Sequence, residues 1–174
     1  MAIREIRVVG DRVLTKKCRP VEKMTPRISE LIDDMFDTMY EANGVGLAAP
    51  QVGILKRIVV MDVDGTPHLL INPEILETSG SQTGAEGCLS LPGIHETVKR
   101  GNKIRVKYMD ENFVEHEEEV EGYLARVMQH EFDHLDGKMF IDHISPLRKQ
   151  MIKGKLNTML KGKARSSYKM KQVK

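Results

Sequence analysis

The sequence predicts an α+β fold: a single domain of mainly antiparallel strands packed around a central HExxH helix, with further helices at the N- and C-terminal ends. Three observations lead there. A chain of 174 residues can bury a proper core as one domain without disulfide or metal staples. Its β-rich runs fall between an N-terminal and a central stretch of helical period, with no internal repeat and no interdomain linker. The turn pair Asp64-Gly65 joins two of those runs closely enough for a hairpin.

Residues 25–42, TPRISELIDDMFDTMYEA, open with Thr25 as N-cap and Pro26 at the first helical position, both of which suit a helix start. Ile28, Leu31, Ile32, Met35 and Met39 recur on one face, so this helix packs on the core through that stripe. RIVVMDV (57–63) and HLLIN (68–72) are β-rich runs on either side of the turn. In KIRVKYMD (103–110), Ile104, Val106 and Tyr108 alternate with Arg105 and Lys107, which predicts a half-buried strand. VEHEEEVEG (114–122) continues, after the Asp110–Asn112 turn, as a polar strand at an edge or on the surface. The period then changes. GYLARVMQHEFDHLDG reads as a helix that stops before Gly137, a natural residue just past a helix end. Ser145-Pro146 starts a last helix, about 146–162, carrying Leu147, Met151, Ile152, Leu156, Met159 and Leu160. The expected organisation is a folded domain over 1–162, that helix included, and a basic, disordered tail over 163–174.

Composition narrows the class. Apolar residues make up 40% and charged residues 30%, and no apolar run approaches the roughly 20 residues that a membrane helix needs. The N-terminus, MAIREIRVVGDRVL, has neither the apolar core of a secretory signal nor the acid-free, Ser-rich character of a transit peptide, so a cytoplasmic product is expected. Cys18 and Cys88 are the only cysteines, too few for a disulfide framework. The net charge of +2 hides an asymmetry: residues 147–174 hold ten Lys or Arg and no acid, whereas the first 146 hold 17 basic and 25 acidic residues. An acidic body thus carries a basic C-terminus.

Three stretches hold the chemistry. In QHEFDHLDG (129–137), His130 and His134 stand four apart and so share one helix face, where two imidazoles can converge on one ion. The pattern is short and built of common surface residues, so on this stretch alone a metal pair and two polar residues on a charged helix are both open. A metal needs at least a third protein ligand and an open position. The candidates are Cys88, His68, His95, His116, His143 and many carboxylates. Cys88 lies in EGCLSLPG (86–93), whose Gly87 and Pro92-Gly93 predict irregular or edge backbone. A thiolate there is a strong ligand for a borderline-soft metal. Cys18 reads instead as a small buried hydrophobe. In GVGLAAPQVG (44–53) the glycine pattern is not a dinucleotide loop, because it follows a helix and Pro50 blocks a helix start. Gly44, Gly46 and Gly53 let backbone approach a ligand, and Gln51 offers an amide donor.

In this order and spacing, GVGLAAPQVG, EGCLSLPG and QHEFDHLDG resemble the three motifs of bacterial peptide deformylases. The resemblance extends from IREIRVVGDRVL to FIDHISPL; Asp11-Arg12 stands where Asp-Pro is usual, and His95 where an aromatic such as Tyr is common. It implies that 1–162 is a catalytic domain that removes the formyl group from the N-terminal formylmethionine of newly synthesised proteins. It further implies that Cys88, His130 and His134 bind one divalent ion, Fe2+ in the family, with Zn2+, Ni2+ or Co2+ as substitutes. Glu131 becomes general base and then general acid. The Gln51 amide and the Leu89 backbone N–H become the oxyanion donors, and Gly46 pairs with the peptide main chain. Tyr123 and Val127 share the helix face of the ligands, and with Val45 they either line a slot for the methionine side chain or belong to the ordinary core. The basic 147–174 segment is the expected contact with the ribosome, a role that the resemblance gives to a C-terminal helix in this family. Two other readings stand beside this one: a small zinc metalloprotease, and a non-catalytic, metal-stabilised ribosome-binding protein.

Overall fold

The computed structural model of the protein describes residues 2–161. Helix α1 (Pro26–Glu41) starts as its sequence predicts, the Thr25 hydroxyl accepting from the Ile28 amide at 3.2 Å. Strand β1 (Gly46–Ala48) and a 3-10 turn (Ala49–Val52) follow. Strands β2 (Ile58–Val63) and β3 (Thr66–Ser79) pair antiparallel across Asp64-Gly65, whose φ values of 56° and 78° are those of a two-residue hairpin turn. β3 runs well past HLLIN and pairs with β6 (Lys103–Met109), which pairs with β7 (Glu115–Glu121). The resulting five-stranded antiparallel sheet has the order β1-β2-β3-β6-β7. β7 is an edge, as its polarity predicts. Its Glu117 and Glu119 meet Arg105 and Lys103 at 3.4 and 3.3 Å, exposed pairs that each contribute no more than about 1 kcal/mol.

A second hairpin, β4 (Gln82–Cys88) with β5 (Leu91–Arg100), is the main feature that the sequence hid. The segment EGCLSLPG, predicted as irregular or edge backbone, is the end of β4, a tight turn and the start of β5, both of them edges of a two-stranded sheet, with a register shift between Gly87 and Cys88. β5 does alternate, but its inward positions include Glu96 and Arg100 as well as Ile94 and Val98, so the buried face does not look apolar.

The layers follow from which faces are apolar. β2 is buried on both faces. Ile58 and Val60 pack with Leu31, Met35 and Met39 of α1, while Val59 and Met61 pack with Ala125, Met128 and Phe132 of α2 (Gly122–Leu135). The β4–β5 hairpin covers the far side of α2 and builds a third apolar cluster from Leu91, Ile94, Val98, Phe140 and Met159. Helix α2 therefore lies between the sheet and the hairpin, and Gly137 follows its end with φ 75°. The last helix is broken rather than continuous: α3 (Pro146–Met151) and α4 (Lys153–Leu160) meet at Ile152, whose φ of −97° and ψ of 0° leave the helical range. Met159 is buried, so α4 is part of the fold. The tail at 163–174 lies outside the described residues. Among the described residues no helix is long and apolar enough to cross a membrane.

The N-terminal segment is fastened along α1. The Ala2 amide and Arg4 Nε each donate to the buried Asp34 carboxylate at 2.9 Å, and the Arg4 amide donates to the Thr38 hydroxyl at 2.9 Å. Burial acts to raise the Asp34 pKa, but the Ala2 amide and the Arg4 guanidinium outweigh it and hold the carboxyl below its ordinary value. A depressed carboxyl stabilises the fold above the unfolded-state pKa of about 3.9, and that contribution drains away as pH falls below it. We expect Asp34→Asn to lower the melting temperature by roughly 2–6 °C at pH 7. In a pH series of thermal melts, the gap to the parent protein narrows below about pH 4.

Candidate active site

Helix α2 carries His130, Glu131 and His134 on its buried length, all at or below 7% exposure, where solvation of a charge must come from protein groups. Cys88, the last residue of β4, is brought to them by the hairpin, its Sγ 3.3 Å from His134 Nε2. One donor atom from each of Cys88, His130 and His134 lies within 4.8 Å of the others. His68, His95, His116 and His143, the other histidines considered as ligands, are not in this group.

The tautomer of His130 is set from behind. Its Nδ1 faces Glu86 Oε1 at 2.8 Å, which leaves Nε2 as the atom available to a metal. Glu86 is buried and accepts from Arg100 Nε and Nη2 at 2.8 Å each, and from Arg126. Burial raises its pKa, yet the Arg100 and His130 contacts outweigh that and hold it at about 2. Arg100 Nη1 also donates to Asp133 at 2.8 Å, and His143 Nε2 faces the same Asp133 oxygen at 2.8 Å. Glu86, Arg100, Arg126 and Asp133 are functional neighbours that sequence reasoning passed over. The signal for Glu86 was its place two residues before Cys88, but nothing marked Arg100 as the group that would neutralise it.

Glu131 is unlike Glu86. With protein charges alone, burial pushes its carboxyl up to about 7, against the lowering effect of His130 and Arg100. Its Oε1 has no hydrogen-bond partner among the described residues, and neither does His134 Nδ1. Gln51 is also buried and oriented: its Oε1 accepts from the Ala48 amide at 2.9 Å, so Nε2 is directed to Ser90 Oγ at 3.1 Å and Cys88 Sγ at 3.6 Å.

These groups border an open cavity of about 310 Å3. Gly46, Gln51, Cys88, Leu89, His130 and Glu131 are among its lining residues, as are Val45, Tyr123 and Val127. His134 stays behind the lining. Tyr123 is 56% and Val45 42% exposed, so both are rim residues, while Val127, at 5%, faces the cavity and also packs in the core with Met128 and Phe132. Val127 therefore borders both the cavity and the core. His95 and Arg126 share the lining.

A thiol and two imidazoles beside a buried, unligated carboxyl can hold a metal and move a proton. Comparison with known proteins gives the family. The polypeptide deformylase family model matches residues 3–150. Peptide deformylase 1 of Clostridium perfringens is 59% identical over 145 residues, covering 82% of this chain and 99% of that protein. The peptide deformylase of Agathobacter rectalis is 58% identical over 144 residues, covering 83% of this chain and 91% of that one. Among solved structures, the peptide deformylase of Legionella pneumophila superposes with a TM-score of 0.86 at 44% identity, covering 94% of this chain and 99% of that chain. That of Thermotoga maritima gives 0.82 at 50% identity, covering 84% and 100%. Motifs, fold and near-full-length similarity lead to one conclusion: the chain belongs to the polypeptide deformylase family.

Proposed function

We propose that this protein removes the formyl group from the N-terminal formylmethionine of newly made polypeptides in the cytoplasm, with Cys88, His130 and His134 holding one divalent metal ion and Glu131 moving the proton. The observation that carries this reading is the convergence of the three candidate ligand atoms beside a buried carboxyl whose Oε1 has no hydrogen-bond partner among the described residues. The donor set fits a borderline-soft metal, because one thiol and two imidazoles meet and Glu86 fixes the ring of His130. Ferrous iron is the proposed ion, as the family resemblance implies, with zinc, nickel or cobalt as substitutes. When bound, the ion would supply Lewis-acid polarisation and make water a stronger acid at neutral pH.

The residues divide the remaining work. Glu131 takes a proton from the attacking water and returns it to the amine as the C–N bond breaks, releasing formate. Burial raises the proton affinity of the Glu131 carboxyl, which favours taking up the proton of the water. Gln51 Nε2, whose direction is fixed through Ala48, and the Leu89 backbone N–H donate to the oxygen of the formyl carbonyl as negative charge develops there. β1 is an edge of the sheet, so Gly46 can pair with an extended substrate main chain. Val45, Tyr123 and Val127 offer the methionine side chain an apolar wall, where burial contributes roughly 1.5–3 kcal/mol.

The basic C-terminus supports a second contact, with ribosomal RNA phosphates. Lys149, Lys153, Lys155 and Lys161 are exposed on and after α3 and α4, whereas Arg148 is engaged with Glu96 at 2.7 and 3.0 Å. Because Met159 is buried, deleting 147–174 would remove part of the core, and deleting 163–174 is the cleaner test.

Anaerobically purified protein should contain stoichiometric metal and deformylate formyl-Met-Ala-Ser while leaving the unformylated peptide intact. Cleavage of an internal bond in the latter would favour a metalloprotease. We expect Glu131→Ala to keep its metal and lose about 10²–10⁴-fold in kcat; near-parental turnover would refute the proton-transfer role, and lost metal would make Glu131 a ligand. Iron-loaded protein should inactivate in air with oxidation located at Cys88 by mass spectrometry, and nickel-loaded protein far more slowly. Deleting 163–174 should weaken low-salt co-sedimentation with ribosomes and spare peptide hydrolysis. Unchanged co-sedimentation would remove the tail from the interaction.

A further inference from the structure

Gly46 and Gly44 lie on strand β1 and the turn before it, and neither has the positive φ that would by itself call for glycine. Their backbone conformations are open to any residue, so the reason for glycine must be space. A Cβ at Gly44 would come 2.8 Å from Leu89 Cδ1. A Cβ at Gly46 would come 2.6 Å from Glu131 Oε2, 2.9 Å from its Cγ and 3.0 Å from its Cδ. Three atoms of one side chain thus occupy the place of a missing side chain. Gly46 and Glu131 are both buried and both border the cavity, so a side chain at 46 would displace the carboxyl from its place at the cavity wall.

We propose that Gly46 is a positioning residue for Glu131, a role that rests on the proton-transfer function assigned to Glu131 above and is separate from main-chain pairing with substrate. A group that must take and give a proton works poorly if strong donors hold it, because hydrogen bonds to the charged form lower its proton affinity. Glu131 Oε1 has no such partner among the described residues. Its location is then set by contact, with the bare backbone of β1 as the wall against which the carboxyl rests. β1 is suited to be that wall: it pairs with β2 at Gly46↔Met61, Leu47↔Val60 and Ala48↔Val59, and Leu47 and Ala48 are fully buried. The same strand holds Gln51 through the Ala48 amide, so one short segment sets the place of both the proton carrier and an oxyanion donor.

The test is Gly46→Ala, alone and combined with Glu131→Ala. We expect Gly46→Ala to retain stoichiometric metal, to move the Glu131 carboxyl by about 1 Å or more in a crystal structure, and to lose about 10²-fold in kcat, with KM for a formyl-Met peptide little changed. In the Glu131→Ala background the same substitution should cost no further activity, because the side chain it would displace is gone. A raised KM with kcat intact, equal proportional losses in both backgrounds, or an unmoved carboxyl would overturn the proposal and leave Gly46 as a substrate contact only. If Gly46→Ala does not fold, the double variant decides: recovery of a cooperative thermal transition upholds the contact with Glu131, and failure of both refutes it. Melting and crystallography need no formyl-peptide activity. A negative result there counts against the positioning role, whereas absence of deformylation by the parent protein counts against the proposed function.

Discussion

The buried carboxylate of Glu86 is the point through which the hairpin, the central helix and the proposed ligand set are joined. An ionised carboxyl removed from water must be matched by donors or it costs several kcal/mol. Here the match comes from two elements at once: Arg100 from the end of β5, and Arg126 and His130 from α2. Arg100 in turn spans to Asp133, one helical turn beyond His130. Removing one member leaves the others charged and buried, a change that typically costs about 3–5 kcal/mol. The hairpin is therefore docked on α2 in one register, and the ring of His130 is oriented by the contact that fixes the docking.

The two sides of α2 are held by different physics. Toward the sheet, Ala125, Met128 and Leu135 are fully buried among the strand side chains, and the contact is apolar. Toward the hairpin it is a lattice of charged and polar groups backed by the smaller cluster around Phe140, whose ring stacks on His130 with centroids 5.8 Å apart. The N-terminal segment closes the back of the site: Ser90, fully buried, donates to the Arg7 carbonyl at 2.7 Å and accepts from Gln51, and the Arg7 amide donates to the Gln51 carbonyl at 2.7 Å. A segment with no regular secondary structure thus takes part in aiming a side chain that borders the cavity.

Much of this was legible in the sequence because it rests on local rules. Thr25-Pro26, Asp64-Gly65 and Gly137 mark boundaries by backbone chemistry that neighbours do not alter, and α1, the β2–β3 turn and the end of α2 fall where those residues put them. The order of the three motifs identified the family. What could not be read locally is pairing across distance. Glu96 on β5 is buried because Arg148, 52 residues on, reaches it, and Arg100 is buried because Glu86 and Asp133 do. Charged residues with remote partners look like surface in a linear reading, which is why the strand pairing of β4 with β5 did not show in the sequence. The break at Ile152 was equally hidden, since the apolar residues on both sides of it fit a single helical stripe.

Cys88 and His134 stand 46 residues apart in sequence and belong to different layers, the hairpin and the central helix. Any coordination that joins them also closes that length of chain into a ring, in the manner of a cross-link. A ring of this size withdraws conformational freedom from the unfolded chain, an entropic effect that grows slowly with its length. The layers so joined meet through polar contacts as much as apolar ones. On the proposed ligation, metal binding and the seating of the hairpin on α2 become two descriptions of a single equilibrium, and the proposed chemical centre is also a fastening in the architecture.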